Sequence, residues 1–298
     1  MRILFIGDIV GSPGRQIVKE RLADIVAQHA IDLVIANCEN SASGFGITPR
    51  LAEELLSCGI EVLSGGNHIF DRKEILEYFP HQPRLLRPAN YPADAPGTGL
   101  YVGVTKSGVG YAVLNLQGRV FMPAIDCPFR AADRELARIP ADVRVVLVDM
   151  HAETTSEKIS MGWYLDGRVT ALVGTHTHVA TADEHVLPGG TAYITDVGMT
   201  GPHDGVIGMD KKTIVQKFLD GLPARFEVAE RDPQMNCVLL DVDPDAPLGP
   251  AVYPEAASSS RRAYPEAAPS DRRVYPDSAP SGQRARARSI QRLRFLLD

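Results

Sequence analysis

The chain has 298 residues, 44% of them hydrophobic and 23% charged, with a formal net charge of −6. This is ordinary globular composition, long enough for one large core or two small ones. The acidic balance argues against nucleic-acid binding by bulk charge, and no apolar run approaches the ~18 residues of a membrane span.

The N-terminal run Ile3–Ile6 is too short for a signal peptide and meets Asp8 at once. Cys38, Cys58, Cys127 and Cys237 lack CxxC spacing. A cytoplasmic protein with reduced thiols is expected, with Cys38 a buried structural thiol. The first half alternates short apolar strands with helical patterns. Ile3–Gly7 precedes a helix over about 14–29. Ile31–Cys38 precedes a helix over about 49–57, for which Thr48 is the N-cap. Ile60–Ser64 precedes a helix over about 72–78. This βαβ rhythm argues for parallel strands. Leu100–Val104 and Tyr111–Leu116 then flank Lys106-Ser107-Gly108, a hairpin signal. Further strands are predicted at Val143–Val148, Val169–Val173, Ala192–Thr195 and Cys237–Asp241. The reading is α/β, with two packed sheets and helices outside.

From about Asp243 the composition changes. Tyr253-Pro254-Glu255, Tyr264-Pro265-Glu266 and Tyr275-Pro276-Asp277 form an imperfect 11-residue repeat rich in Pro, Ser, Ala and Arg. A Pro in every unit excludes a helical supercoil, and the apolar content is too low to offset ordering entropy. Residues 244–298 are therefore predicted to be a disordered low-complexity tail, and 1–243 the catalytic domain. Residues 290–297 could form one or two helical turns. Residues 251–298 hold nine Arg against five Asp and Glu, a balance of +4, so the remaining body carries −10. Arg beside Tyr could engage RNA by charge and stacking.

The strand ends carry the chemistry. The first ends in Asp8, the second in Glu39-Asn40 and the third in Gly65-Gly66-Asn67-His68. Val143–Val148 runs into His151, and Val169–Val173 into Gly174-Thr175-His176-Thr177-His178. Ligand sites in α/β sheets form beyond the carboxyl ends of strands. In extended backbone His176 and His178 share a face, roughly 6–7 Å apart, so each ring can serve one metal of a pair. Each residue has a simpler reading. Asp8 could cap a turn, Asn67 could fill a left-handed position, and the histidines could be solvated. Eight such coincidences at five strand ends are harder to explain jointly than a metal site.

The ordered set resembles the calcineurin-like binuclear metallophosphoesterase superfamily. Gly7-Asp8-Ile9-Val10-Gly11, Cys38-Glu39-Asn40-Ser41-Ala42, Gly65-Gly66-Asn67-His68-Ile69-Phe70-Asp71 and Asp196-Val197-Gly198-Met199-Thr200-Gly201-Pro202 are similar to its YmdB-like bacterial branch, over roughly residues 1–243. The resemblance implies a four-layer sandwich of two mixed sheets flanked by helices, and two metal ions per chain, iron foremost with manganese or zinc as alternatives. One ion would take Asp8, Glu39, Asn40 and His178. The other would take Glu39, Asn67, His151 and His176, with Glu39 bridging. His68 would be the general acid. The superfamily's first motif is Asp-x-His, and Asp8-Ile9-Val10 lacks that imidazole. The implied activity is hydrolysis of small phosphodiesters, 2′,3′-cyclic nucleotides above all, by an activated water. The alternative is a non-catalytic regulatory protein on the same scaffold that binds RNA or protein through its Arg-rich tail. Expected partners are thus the phosphodiester and an RNA or protein at the tail, with no membrane; homo-oligomerisation stays open.

Overall fold

Along β1 (Arg2–Ile6) the side chains alternate: Leu4 and Ile6 join one apolar core, Ile3 and Phe5 another. Every inner strand repeats this period of two, and the four-layer arrangement follows from it. The computed structural model describes residues 1–251 and 284–297. After β1, the two-residue β2 (Asp8–Ile9) leads into α1 (Gly11–His29), β3 (Leu33–Asn37), α2 (Pro49–Ser57), β4 (Val62–Ser64) and the single-turn α3 (Ile75–Tyr78). The second half runs β5 (Leu100–Val104), β6 (Gly110–Gln117), α4 (Pro128–Leu136), β7 (Val145–His151), α5 (Thr155–Leu165), β8 (Ala171–Thr175), β9 (His185–Val186) and β10 (Ala192–Ile194). Then follow β11 (Met199–Pro202), α6 (Lys211–Asp220), β12 (Pro233–Pro247) and β13 (Ala285–Leu296).

One sheet has the order β2-β11-β12-β1-β3-β4, with β13 on the other edge of β12; the second has the order β5-β6-β7-β8-β10-β9. β1, β3 and β4 are parallel, as are β6, β7, β8 and β10. β12 runs antiparallel to β1, and β5 antiparallel to β6, so both sheets are mixed. Ile3, Phe5, Leu33 and Ile35 meet Val145, Leu147, Ala171 and Val173 between the sheets. Leu4, Ile6, Val34 and Ala36 pack outward on α1 and α2 through Ile17, Leu22 and Leu55. Val146, Val148 and Leu172 pack outward on α4 and α5 through Ala131 and Met161. The result is helix, sheet, sheet, helix. Thr48 caps α2 as expected, its hydroxyl accepting from Leu51 N at 3.3 Å.

Several boundaries differ from the sequence reading, the longest extension being β12, which runs over Pro233–Pro247 where Cys237–Asp241 was expected. α1 begins at Gly11, whose N–H donates to Asn40 O at 2.9 Å, so the helix starts on the site loop without a capping side chain. α3 is limited to Ile75–Tyr78. β7 and β8 lie two or three residues later than expected and carry Asp149, His151 and Thr175 inside the ladder, fully buried. Their polar groups are paired there, so hydrophobicity alone truncated the strands.

The tail reading is also revised where it can be compared. Residues 252–283, with the three Tyr-Pro units, lie outside the described residues. The helical turns expected over 290–297 are absent. Instead β13 pairs antiparallel with β12, Leu293 opposite Cys237 and Ile290 opposite Leu240. Ala285 and Ala287 are buried, Leu293, Phe295 and Leu297 pack on the α1 core, and the interleaved Arg286, Arg288, Arg292 and Arg294 stay exposed. That alternation has period two, not 3.6. Among the described residues no helix is long and apolar enough to cross a membrane.

Candidate metal centre

Parallel strands in both sheets end at the same edge of the sandwich, and there their carboxyl ends gather the predicted residues. Asp8 stands on β2, Glu39 and Asn40 follow β3, Asn67 and His68 follow β4, His151 closes β7, and His176 and His178 follow β8. Glu39, His151 and His176 each offer an atom within 4.8 Å of the others. His151 Nε2 lies 2.9 Å from Glu39 Oε1, 3.1 Å from Asn67 Oδ1 and 3.0 Å from His176 Nδ1. Beside this cluster, His178 Nε2 lies 3.3 Å from Asn40 Oδ1, and Asp8 Oδ2 accepts from His176 N at 3.2 Å. His68 stands apart from both. Its backbone N–H donates to Glu39 Oε2 at 2.9 Å, while its ring contacts Asp71 Oδ2 through Nδ1 at 2.8 Å and meets Phe45 edge-on at 5.1 Å.

Each imidazole of the cluster is anchored through one nitrogen and turns the other inward. His151 Nδ1 donates to Thr175 Oγ1 at 2.9 Å, and that hydroxyl donates to Asp149 Oδ1 at 2.7 Å. His176 Nε2 donates to Glu153 Oε2 at 3.0 Å, and His178 Nδ1 to Ile207 O at 2.8 Å. Asn40 is turned likewise, its amide N–H donating to Gly44 O at 2.9 Å so that Oδ1 faces His178. Anchoring one ring nitrogen fixes the tautomer and leaves the other with a bare lone pair, as in metal-binding histidines. Asp8 Oδ1 is buried with no hydrogen-bond partner, a costly state for a carboxylate in the absence of a cation. Donor atoms sharing one ion at about 2.1 Å stand roughly 3 Å apart, which matches the spacing around His151 Nε2. The donor set is oxygen and nitrogen, without thiolate, and fits Fe, Mn or Zn. The residues present therefore fit a metal centre.

The electrostatics agree. Burial alone would raise the Glu39 carboxyl, but the adjoining His151 and the His68 N–H hold it down at about 2. Burial opposes charge on His151 too, yet Glu39, Asp8 and Asp149 lift it to about 9. Burial and the neighbouring His151 push His176 down to about 3.

Sequence reasoning missed the supports. Asp149 takes hydrogen bonds from Ser64 Oγ at 2.5 Å and Asn37 Nδ2 at 3.1 Å as well as from Thr175; burial raises its pKa to about 6. Beneath the His-Thr-His loop, Lys158 and Asp196 form a fully buried ion pair at 2.7 Å. Asp196 also accepts from Thr177 N at 3.1 Å, Thr177 Oγ1 at 2.8 Å and Gly198 N at 2.8 Å. His176 and His178 adopt φ of 101° and 65°, a left-handed backbone costing side-chain-bearing residues of order 1–3 kcal/mol each. Asp196 holds the loop in that conformation. The Asp196-Val197-Gly198 stretch was visible in sequence, but nothing there pointed to Lys158 in the middle of α5.

The sequence profile of the YmdB-like protein family matches residues 4–249. The chain belongs to this family. It is 49% identical over 243 residues to a Bacillus subtilis protein named 2′,3′-cyclic-nucleotide 2′-phosphodiesterase, covering 82% of this chain and 92% of that one. Among solved structures, a hypothetical protein from Thermus thermophilus superposes with a TM-score of 0.76 at 42% identity, over 80% of this chain and 93% of that chain. A Mycoplasma pneumoniae protein described as a novel phosphatase also superposes with a TM-score of 0.76, at 34% identity, over 80% of this chain and 87% of that one. The metallophosphoesterase-like two-sheet sandwich expected from the motifs is thus the family's fold. The family match ends at residue 249, before β13.

Proposed function

We propose that this chain is a dinuclear metal-dependent phosphodiesterase whose substrates are 2′,3′-cyclic nucleotides. The observation that carries the reading is the set of three imidazoles, each anchored through one nitrogen and bare at the other, beside a buried carboxylate oxygen with no hydrogen-bond partner. The substrate class rests on the Bacillus subtilis relative. Asn67, His151 and His176 would hold one ion, Asp8, Asn40 and His178 the other, with Glu39 between them. When bound, two such ions neutralise phosphoryl oxygens and lower the pKa of an attacking water.

The chain's own residues do the rest. Asp149 and Thr175 keep the His151 proton on Nδ1. Asp71 takes the Nδ1 proton of His68 in its hydrogen bond, leaving Nε2 to face the leaving group. As water adds to phosphorus, one of its protons passes to bulk water, the P–O2′ bond breaks, and His68 Nε2 passes its proton to the departing oxygen, leaving a 3′-monophosphate. A positioned general acid contributes about 10²–10⁴-fold. His68→Ala is therefore expected to keep its metal and to lose turnover of the cyclic nucleotide by that factor, but less on a diester with a good leaving group. Elemental analysis and steady-state kinetics on 2′,3′-cyclic AMP and bis(p-nitrophenyl) phosphate make the test. Fewer than two ions in active protein would sink the dinuclear centre. Equal losses on both substrates would remove the acid role from His68.

A further inference from the structure

We propose that a cavity beside the metal centre binds the nucleotide that neighbours the scissile phosphodiester, so that the preferred substrate is an oligonucleotide end and not a free mononucleotide. The inference rests on the phosphodiesterase reading and adds a substrate class to it.

The loop after Glu39 and Asn40 forms one wall of a cavity of 740 Å³, within the ~300–1,000 Å³ of small-molecule sites. Two arginines clamp that loop. Arg15, from α1, donates through Nη1 to Ser41 O at 2.5 Å. Arg72, four residues past His68, donates through Nε to Phe45 O at 2.9 Å and through Nη2 to Ala42 O at 2.5 Å. A guanidinium carries five N–H donors, so both arginines keep donors beyond those the loop takes. Arg15 Nε is buried, 3.9 Å from Glu54, and makes no hydrogen bond. Arg225 and Glu227 line the same cavity. The lining carries three guanidiniums against one carboxylate, and with Glu54 behind Arg15 counted as well the balance is still positive, in a chain of net charge −6. The first turn of the 19-residue α1 adds Ser12 to its lining, and helix N-termini favour anions.

The cavity also has aromatic walls. Phe226 lines it with Lys217 Nζ 4.4 Å from its ring centre. Phe45 lines it too and packs against His68 at 5.1 Å, so one ring joins the cavity to the proposed acid. Guanidiniums suit a phosphate, and an aromatic face suits a base, worth about 1–3 kcal/mol per stacked base. A mononucleotide has one phosphate, which the metal centre would hold, and would bring no anion to the donors that Arg15 and Arg72 keep beyond those the loop takes. A second nucleotide with its own phosphate fills both features.

The test uses the full chain and two readouts. Steady-state kinetics compare 2′,3′-cyclic AMP with the dinucleotide ApA ending in a 2′,3′-cyclic phosphate. Calorimetry compares binding of pApA with AMP. The expected result is a KM for the dinucleotide about 10–100-fold lower and a correspondingly tighter Kd for pApA, the worth of one stacked base and one paired phosphate. Arg72→Gln and, independently, Phe226→Ala should shrink both advantages by at least about 10-fold, with a smaller change on bis(p-nitrophenyl) phosphate. Equal KM for the two nucleotides together with equal Kd for pApA and AMP overturns the proposal. So does an equal loss on every substrate in both variants, which would make the arginine and phenylalanine supports of the loop. If no diester turns over in protein with two ions bound, the catalytic reading has failed, and pApA binding alone then decides the cavity.

Discussion

Gly66→Ala adds one methyl group at a crowded point of the centre, against two of its proposed ligands. A Cβ there would stand 2.2 Å from His151 Cδ2, 2.3 Å from His151 Nε2 and 2.5 Å from Glu39 Oε2. Ordinary contact begins near 3.4 Å, so ring and carboxylate must each retreat by about 1 Å. Neither has room, because both are buried and the ring is pinned through Thr175. Gly66 does not use a left-handed backbone, so the effect is steric and not conformational. At such a site the change to alanine would otherwise stabilise by about 0.4–1 kcal/mol. Overpacking instead costs about 1–3 kcal/mol, and a 1 Å misplacement at a reacting centre costs about 10²-fold in rate. The expected outcome is a lower melting temperature of the metal-free protein, metal content reduced in mass spectrometry, and turnover down by 10²-fold or more. Gly110→Ala is the control, since its Cβ meets nothing nearer than 3.5 Å. If Gly66→Ala binds metal and turns over like Gly110→Ala, the placement of Glu39 and His151 around Gly66 is wrong.

Three further outcomes follow from the supports. Thr175→Val strands both His151 Nδ1 and Asp149 Oδ1; metal affinity should fall about 10–100-fold in a chelator competition, and an unchanged affinity would show that the relay does not set the tautomer. Lys158→Met leaves Asp196 buried without its cation, and urea unfolding should read a loss of about 3–5 kcal/mol. The double variant Lys158→Met/Asp196→Asn should recover part of that loss, and no recovery would argue that Asp196 acts through Thr177 and Gly198 alone. Ending the chain at Pro250 removes β13 and bares the edge of β12. Losing half-buried Leu293, Phe295 and Leu297 should cost on the order of 1 kcal/mol each and make the product aggregate through the open edge. A truncated chain as stable and monodisperse as the full one would show β13 to be dispensable.

The strand ends were readable because polar residues interrupt apolar runs at the point where a parallel strand meets its loop. Asp8, Glu39-Asn40, Asn67-His68 and His176-Thr177-His178 stand out for that reason. His151 was readable only as the end of a longer run, since Asp149 within it looked like the end of the strand. The sequence carries no local sign that Asp149 is buried against Ser64 and Thr175, because those partners lie 85 and 26 residues away in the chain. The same holds for Lys158 and Asp196, 38 residues apart. A lysine between Glu157 and Ile159 in α5 has no feature that marks it as buried.

By itself, then, the sequence determined the alternation of strands and helices, two packed sheets with helices outside, the capping of α2 by Thr48 and the residues presented at one edge. These are local consequences of side-chain period and backbone preference, and they need no partner to be read. Only the tertiary structure decided which ring nitrogens face inward, what holds His176 and His178 in a left-handed backbone, and that residues 285–296 return as a strand. Each of these depends on hydrogen bonds or packing between segments far apart in the chain. Composition called the C-terminal stretch a tail, because alternating Arg and small or apolar residues become a strand only where the open edge of β12 supplies the partner.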